Sequence, residues 1–485
     1  MQNLTMLTDL YQLTMMQGYL REGYREKEAV FDLFFRTLPP GCGYAVVAGL
    51  EQVVDYLENL HFRAEDLEYL RSLHLFDEEF LRQLRDLRFT GDLDAIPEGT
   101  PVFPYEPLLR VKAPLLEAQL IETALLNLIN FETLIATKAS RVVAAAGGGR
   151  VMEFGLRRAQ GPDAGILGAR AAYIGGCQAT SNVLAGQRFG IPVSGTLAHS
   201  WIQCFPSELE AFRAYAATFP DQCLLLVDTY NVLRSGVPNA IKVGLELEKQ
   251  GHKFLGIRID SGDLAYLSRE ARRMLDEAGL KRAIIVGSND LDEETIWSIR
   301  AQGAAIDAWG VGTHLITSKD APALGGVYKL AALGQNGVFK PRLKVSENVT
   351  KITNPGIKKV VRFYNQDGKA LADLIALADE YFPEDRPLAI FDPVQTWKRK
   401  TLRNFKTREL QVPVFRGGRR VYALPSLPEI QVYAQKELES LWSEVRRLTN
   451  PHTYIVDLSQ KLYDLRQELL LEIRNEVEKQ EEMGD

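Results

Sequence analysis

The segment GTLAHSW, residues 195–201, sets His199, one of six histidines, directly after an apolar run at 189–193 that has the pattern of a buried strand. An imidazole exposed at a strand end titrates near neutrality, so it can act as acid, base or phosphoryl acceptor without large tuning. A ring flanked by Leu197 and Trp201 can equally be a packed one that satisfies local polar groups. Asp228, in DTYN at 228–231, closes another apolar run. Its carboxylate can hydrogen-bond one imidazole nitrogen of His199, fixing the tautomer and stabilising a cationic or phosphorylated ring, or it can be a turn residue. In RIDSGD, 258–263, strand alternation points Arg258 and Asp260 to one side and Ile259 to the other. That pair is either a salt bridge closing the strand, or a site where Arg258 holds an anionic substrate and the aspartates hold ribose hydroxyls or a magnesium ion. Asp263 also suits the N-cap of a helix beginning at Leu264. GSND at 287–290 and GVGT at 310–313 follow consecutive apolar runs. Glycines such as Gly310 and Gly312 let backbone N–H groups approach an anion and Ser288 and Thr313 add hydroxyls, so a phosphorylated substrate is expected. Arg157 and Arg158, after EFGL, offer a clamp for a carboxylate or diphosphate.

These residues need a scaffold that gathers them. Short apolar runs at 151–154, 191–193, 224–227, 254–259, 283–286 and 305–309 alternate with amphipathic stretches such as 265–278 and 293–302. This is the rhythm of βα units around a parallel sheet. Arg157, His199, Asp228, Asp260, Ser288 and 310–313 all fall just past the C-terminal end of a run, where parallel barrels and open sheets build their ligand sites. The fold class is therefore α/β, an irregular or incomplete (β/α) barrel, with an open doubly wound sheet as the alternative. Before it, Leu7, Leu10, Tyr11, Thr14 and Met15 recur at helical spacing, which allows Tyr11 to be a core residue. Phe31, Leu33 and Phe35 alternate as in a strand, 89–113 reads as short strands and turns, and 115–146 reads as a long apolar helix ended by three glycines. After 345 come strands near 360–364, a proline-rich passage at 381–393 and charged helical segments at 438–448 and 455–477. The expected division is an N-terminal α+β domain over 1–130, a catalytic α/β barrel over 131–345 and a C-terminal mixed strand and helical domain over 346–485. The acidic end, 478–485, reads as a like-charged disordered tail.

With 46% hydrophobic and 25% charged residues and a net charge of -6, the composition is that of an ordinary soluble protein and argues against a surface that neutralises nucleic-acid phosphates. A small-molecule ligand fits better. The start MQNLTMLTDLYQ has no basic-then-apolar pattern and no later stretch reaches 18 uninterrupted apolar residues, so a cytoplasmic protein without membrane association is expected. Cys42, Cys177, Cys204 and Cys223 are too scattered for a disulfide framework or a zinc site, and reduced, mostly buried thiols are expected.

Together, LTDLYQ (7–12), EFGLRRAQGPD (153–163), GTLAHSW (195–201), VDTYNV (227–232), RIDSGDL (258–264) and GVGT (310–313) make the chain resemble the nicotinate phosphoribosyltransferases over nearly its full length. The resemblance implies a type II phosphoribosyltransferase fold, with an N-terminal α+β domain, an irregular α/β barrel and a C-terminal extension, in a head-to-tail homodimer that completes each active site. It implies that nicotinate and 5-phosphoribosyl 1-diphosphate give nicotinate mononucleotide and diphosphate in NAD biosynthesis by salvage, with ATP as co-substrate, Mg2+ as metal and His199 as a phosphohistidine. Asp228 would then orient His199, and Tyr11 of the neighbouring subunit would stack on the nicotinate ring. Arg258 and Thr196, with Arg157, would hold the ring and its carboxylate; Thr313, Gly310, Gly312 and Ser288 would receive the ribose 5-phosphate, and Asp260 the ribose or its magnesium. Relatives that take nicotinamide carry an aspartate where this chain has Ser181 or Asn182, so preference for the acid is expected, because a like charge there would repel the nicotinate carboxylate. A nicotinamide phosphoribosyltransferase is the alternative within the same fold. A metal-dependent barrel hydrolase would need a ligand pattern such as His-x-His or His-Glu-x-x-His, and neither occurs. A non-catalytic nucleotide-binding homologue would be expected to lose His199, Asp228 or Arg258, all of which are present.

Overall fold

The computed structural model describes residues 3–346 and 351–484, with side chains as far as 476. The chain divides into two compact units, one comprising Leu134–Pro322 and the other the residues up to Thr133 together with those from Ala323 onward.

In the first of these units, six strands form one sheet: Arg150–Glu153 (β1), Ala179–Thr180 (β2), Leu224–Leu226 (β3), Gly256–Ile259 (β4), Ile284–Asn289 (β5) and Ala308–Val311 (β6). Their spatial order is β2-β1-β6-β5-β4-β3, and every neighbouring pair is parallel. First and last strands are neighbours, so the order is that of a ring interrupted between β2 and β3. This is the irregular barrel expected from the apolar runs. Leu224, Val286 and Ala308 pack together with Met152 and Ile284, and Ile257, Ile259, Trp309 and Val311 are buried, as strands covered on both faces require. Helices Val237–Lys249, Leu264–Glu277 and Glu293–Ala301 alternate with the later strands. Asp263 and Asp292 cap the last two by accepting the backbone N–H of Tyr266 and Thr295.

One strand lies elsewhere than expected. Residues 191–193 contribute a single bridge, from Val193 to Thr180. Pro192 has no N–H to donate to a ladder, although its carbonyl accepts from Thr180. The second strand is instead the two-residue β2, too short to leave a periodic signal.

In the second unit, strands distant in sequence share one seven-stranded sheet. Glu28–Phe35 lies antiparallel between Gly326–Gln335 and Leu109–Pro114, and Asp92–Ala95 pairs with Val412–Arg416. Strands from the expected N-terminal domain, from the end of the expected barrel domain and from the expected C-terminal domain thus share this sheet, and these segments lie in one compact unit. A four-stranded sheet, with Lys358–Tyr364 and Ala370–Leu377 at its centre, buries Val361, Phe363, Ala372 and Leu374. Inside it the fully buried Arg362 is paired with Asp373 at 2.6 Å. The charged segment expected as helix from 455 begins instead with the strand Val456–Leu458. Ser459 then accepts from Leu462 N–H through its hydroxyl and starts the helix Gln460–Gly484. The acidic side chains of 478–485 lie outside the described residues.

Helix Leu10–Arg21 buries Gln12, Leu13 and Met16. Tyr11, which the spacing allowed to be a core residue, points outward with its neighbours: Leu10 is 51%, Tyr11 47% and Met15 39% exposed. Among the described residues no helix is long and apolar enough to cross a membrane. Among the described residues no disulfide joins the four cysteines; Cys177 and Cys223 are buried, Cys42 is half-buried and Cys204 is exposed.

Candidate active site

The carboxyl ends of β3 to β5, with the loop after β2, bring Thr196, His199, Asp228, Arg258, Asp260 and Ser288 to one edge of the parallel sheet. Arg157, Gly312 and Thr313 follow β1 and β6 at the same edge, and Tyr11 belongs to the other unit. Arg258 is the third residue of β4, and its guanidinium makes three hydrogen bonds. Nε donates to Ser288 Oγ at 2.8 Å, Nη1 to Thr196 Oγ1 at 3.3 Å and Nη2 to Asp260 Oδ1 at 2.6 Å. A guanidinium has five N–H groups in a fixed fork, so two remain for a ligand. Its carbon lies 5.6 Å from the centroid of the Phe154 ring. Phe154 can lie there because residue 310 is glycine: a Cβ at Gly310 would come within 2.6 Å of that ring. Gly310 therefore serves packing beneath Arg258, which differs from the anion approach expected of it. Gly312 precedes the short helix Thr313–Ile316, whose first residue, Thr313, is half-buried.

Ser288 also differs from expectation. It is buried, accepts from Arg258 and donates to Asp260 Oδ1 at 2.5 Å. Its hydroxyl bridges the cation and the carboxylate and is not an open donor for a phosphate. Asn289, which the sequence did not single out, carries φ 135 at the end of β5. This left-handed backbone is uncommon for a side-chain-bearing residue and characteristic of functional turns.

His199 opens the helix His199–Gln203, with its side chain 42% exposed. Its Nδ1 lies 3.1 Å from Thr229 Oγ1, and its Nε2 lies 4.0 Å from Asp260 Oδ2. The expected partner, Asp228, is engaged elsewhere: its Oδ2 accepts from the backbone N–H of Asp260 at 3.1 Å and from Ser261 Oγ at 2.6 Å. Thr229, one residue on, takes the imidazole instead. Asp228 Oδ1 is buried with no hydrogen-bond partner. Thr196 accepts from Arg258 and donates to the carbonyl of Leu197 at 3.2 Å. Sequence reasoning could have found Thr229 only by asking which hydroxyl follows each strand, because a loop's side-chain directions are set by its turn.

Arg157 and Arg158 lie exposed on the turn Leu156–Arg158. That turn is anchored by the buried Glu153, which accepts from Gly155 N–H through one oxygen and from Thr180 Oγ1 at 2.6 Å through the other. Burial raises the Glu153 pKa, and these two bonds partly offset the rise. Asn182 is spent on structure: its amide caps Ala185 N–H and donates to the Gly165 carbonyl. Ser181, half-buried, is the one of this pair left to face a ligand. His314, another residue not foreseen, is bound through Nδ1 to Asp292 at 3.0 Å and through Nε2 to Lys319 at 2.9 Å.

No group of three or more His, Cys, Asp or Glu side chains among the described residues forms a metal cage. Magnesium, however, needs only one or two protein carboxylates when substrate phosphates and water complete its shell. The unpartnered Asp228 Oδ1 and the Asp260 Oδ2 that faces His199 fit that donor set.

An imidazole, an arginine with open donors and two carboxylates over the carboxyl ends of a parallel, barrel-ordered sheet define the site of an α/β-barrel enzyme. Comparison with known proteins makes the assignment specific. The model of the nicotinate phosphoribosyltransferase N-terminal domain matches residues 6–130, that of the family itself 150–370, and that of its C-terminal domain 357–466. The Bacillus subtilis (strain 168) nicotinate phosphoribosyltransferase is 50% identical over 479 residues, covering 99% of this chain and 97% of its own. The Homo sapiens protein of the same name is 38% identical over 518 residues, covering 95% of each. The crystal structure of human nicotinic acid phosphoribosyltransferase superposes with a TM-score of 0.83 at 35% identity, covering 96% of this chain and 99% of that one. The nicotinate-nucleotide pyrophosphorylase of Pyrococcus furiosus, with a TM-score of 0.69 at 24% identity over 90% of this chain and 96% of its own, shares the fold. The chain belongs to the nicotinate phosphoribosyltransferase family.

Proposed function

We propose that this enzyme joins nicotinate to 5-phosphoribosyl 1-diphosphate, giving nicotinate mononucleotide and diphosphate for NAD salvage in the cytoplasm, with ATP hydrolysis coupled through a phosphohistidine at His199. Membership of the family supports the transfer itself. The observation that carries the coupling is the half-exposed His199 ring, held at Nδ1 by Thr229 and directed with Nε2 toward Asp260.

In the transfer, the pyridine nitrogen of nicotinate forms a bond to ribose C1 as the bond from C1 to the diphosphate oxygen breaks. No proton moves. Positive charge builds on the sugar, and the site must stabilise it while neutralising the departing diphosphate. Arg258 spends two N–H groups on the nicotinate carboxylate or an adjacent phosphate, with Thr196 and Arg157 beside it. Asp260 faces the ribose hydroxyls and its developing charge. Gly312 and Thr313 receive the 5-phosphate; Gly310 and Ser288 support them by packing and by orienting Arg258. Asp260 with Asp228 would hold a magnesium ion, which would supply charge neutralisation on the departing diphosphate.

For the ATP step, donation of Nδ1–H to Thr229 leaves the lone pair on Nε2. Nε2 takes the γ-phosphoryl group, releasing ADP, and water later cleaves the N–P bond. A homodimer with shared sites is supported by the outward stripe of Leu10, Tyr11 and Met15, since an exposed apolar patch of this kind marks an association surface. Tyr11 of one subunit would then cover the nicotinate ring of the other. Preference for acid over amide rests on the free Arg258 donors and the neutral Ser181. A comparable catalytic efficiency with nicotinamide would instead assign the nicotinamide reading.

The test incubates the protein with γ-labelled ATP and 5-phosphoribosyl 1-diphosphate, with and without nicotinate, comparing wild type with His199→Ala. Acid-labile label on the wild type alone is expected. Product formed without ATP, and equally well by His199→Ala, would overturn the coupling.

A further inference from the structure

In the four-stranded sheet unit, far along the chain from the barrel residues, a cleft of about 400 Å3 carries a cation without an anion. Ile375, Val456, Leu458 and Leu470 supply apolar lining, and Asn354, Gln467 and Arg466 the polar lining. Arg466 stands on the helix Gln460–Gly484 and is only partly exposed. Nη1 donates to Asn354 Oδ1 at 3.2 Å, Nη2 reaches the Pro393 carbonyl at 3.4 Å, and Nε is buried with no partner. Among the described residues no carboxylate pairs with it. Burial lowers its pKa, with the charge of Tyr463 acting in the other direction, and the Tyr463 ring centroid lies 5.6 Å from the guanidinium carbon. Two other arginines withdrawn from water in this unit meet carboxylates, Arg362 at Asp373 and Arg408 at Glu437, whereas Arg36 and Arg446, like Arg466, each keep a buried Nε without a partner. Of these three, Arg466 is the one that lines the cleft.

A guanidinium withdrawn from water with neutral partners and an idle N–H is unfavourable by itself, and a carboxylate is the group whose geometry matches its fork. Tyr105 also lines the cleft and holds φ 71, a left-handed conformation costly for a bulky residue. The volume is that of a small-ligand pocket, and one cation among apolar walls selects one negative charge on an apolar body. We propose that this cleft binds an apolar monocarboxylate, its carboxylate on Arg466 and its hydrocarbon part against Leu458 and Leu470. The inference is independent of the reaction assigned to the barrel.

The test titrates the full chain with 2-naphthoate, and with 2-naphthylmethanol as the neutral counterpart, by calorimetry. One acid per chain is expected, bound about tenfold more tightly than the alcohol. Arg466→Met should weaken the acid by about tenfold, leave the alcohol unchanged and keep or raise the melting temperature, since it removes an unpaired charge. Leu470→Trp, which fills the cleft, should abolish both. The proposal is overturned if the wild type takes up no acid, if the acid binds no better than the alcohol, or if Arg466→Met leaves its affinity intact. Binding that survives Leu470→Trp would assign it to another site and overturn the proposal equally.

Discussion

Nε2 of His199 and Oδ2 of Asp260 face each other at 4.0 Å, while the other oxygen of Asp260 is held by Arg258 at 2.6 Å. One carboxylate thereby joins the proposed phosphoryl acceptor to the proposed substrate clamp. Asp260→Asn keeps the shape and removes the charge. It should lower kcat/KM for 5-phosphoribosyl 1-diphosphate by about a hundredfold, the scale of a lost charge-assisted contact at a reacting centre. Steady-state kinetics decide it, and a change below about threefold would show that the charge is not used.

Thr229, and not Asp228, meets Nδ1 of His199. Thr229→Val removes that one bond, worth about 1 kcal/mol. The expected result is about fivefold slower phosphorylation of His199, with the rate measured without ATP unchanged. Rapid-quench labelling reads the first quantity and product formation without ATP the second.

Gly310 lets the Phe154 ring lie beneath Arg258, and a methyl group there would sit 2.6 Å from the ring. Gly310→Ala should destabilise the fold by about 1–3 kcal/mol through overpacking. It should also raise the KM for nicotinate, because Arg258 loses the surface it rests on. Denaturant unfolding and substrate titration check the two effects separately.

The buried Glu117 accepts from the backbone N–H and hydroxyl of Thr90. Burial pushes its pKa up to about 7, with the Thr90 bonds pulling the other way. Because the folded value lies above the unfolded one of about 4.5, the unfolded chain loses its proton first as pH rises. The stabilisation is therefore complete below about pH 4.5 and falls away through about pH 7, a loss on the order of 3 kcal/mol. Glu117→Gln should flatten this decline. Unfolding curves for the two proteins at pH 5 and pH 8 supply the comparison, and equal slopes would refute the assignment.

The outward stripe on helix Leu10–Arg21 predicts assembly. Leu10→Asp combined with Met15→Asp should shift sedimentation from dimer to monomer while leaving the circular dichroism spectrum intact. Tyr11→Ala should raise the KM for nicotinate with little change in melting temperature, as the ring is exposed.

The barrel was legible because parallel strands buried on both faces must be continuous apolar runs, and the residues after each run had to lie at one edge. Asp260 and His199 followed from that, and Arg258 from the alternation of the strand that ends before Asp260. What escaped depends on direction and distance. The choice of Thr229 over Asp228 is made by a turn, and the bridging role of Ser288 by its burial between two charged side chains. Pro192 displaced a strand that hydrophobicity alone suggested. Periodicity identified the helix bearing Tyr11 but could not say which way its apolar positions face, because helical spacing alone does not distinguish an inward stripe from an outward one. The pairing of Glu28 with Gly334 was invisible, since no local pattern encodes a partner so far along the chain.

That pairing bears on how the polypeptide matures during synthesis. Strand Glu28–Phe35 leaves the ribosome long before Gly326–Gln335 exists, so one of its edges waits without a ladder while the whole of Leu134–Pro322 is made. The intervening unit holds all its own strand partners and can condense first, leaving the early strand as the stretch most exposed to aggregation or chaperone capture until the last third of the chain arrives.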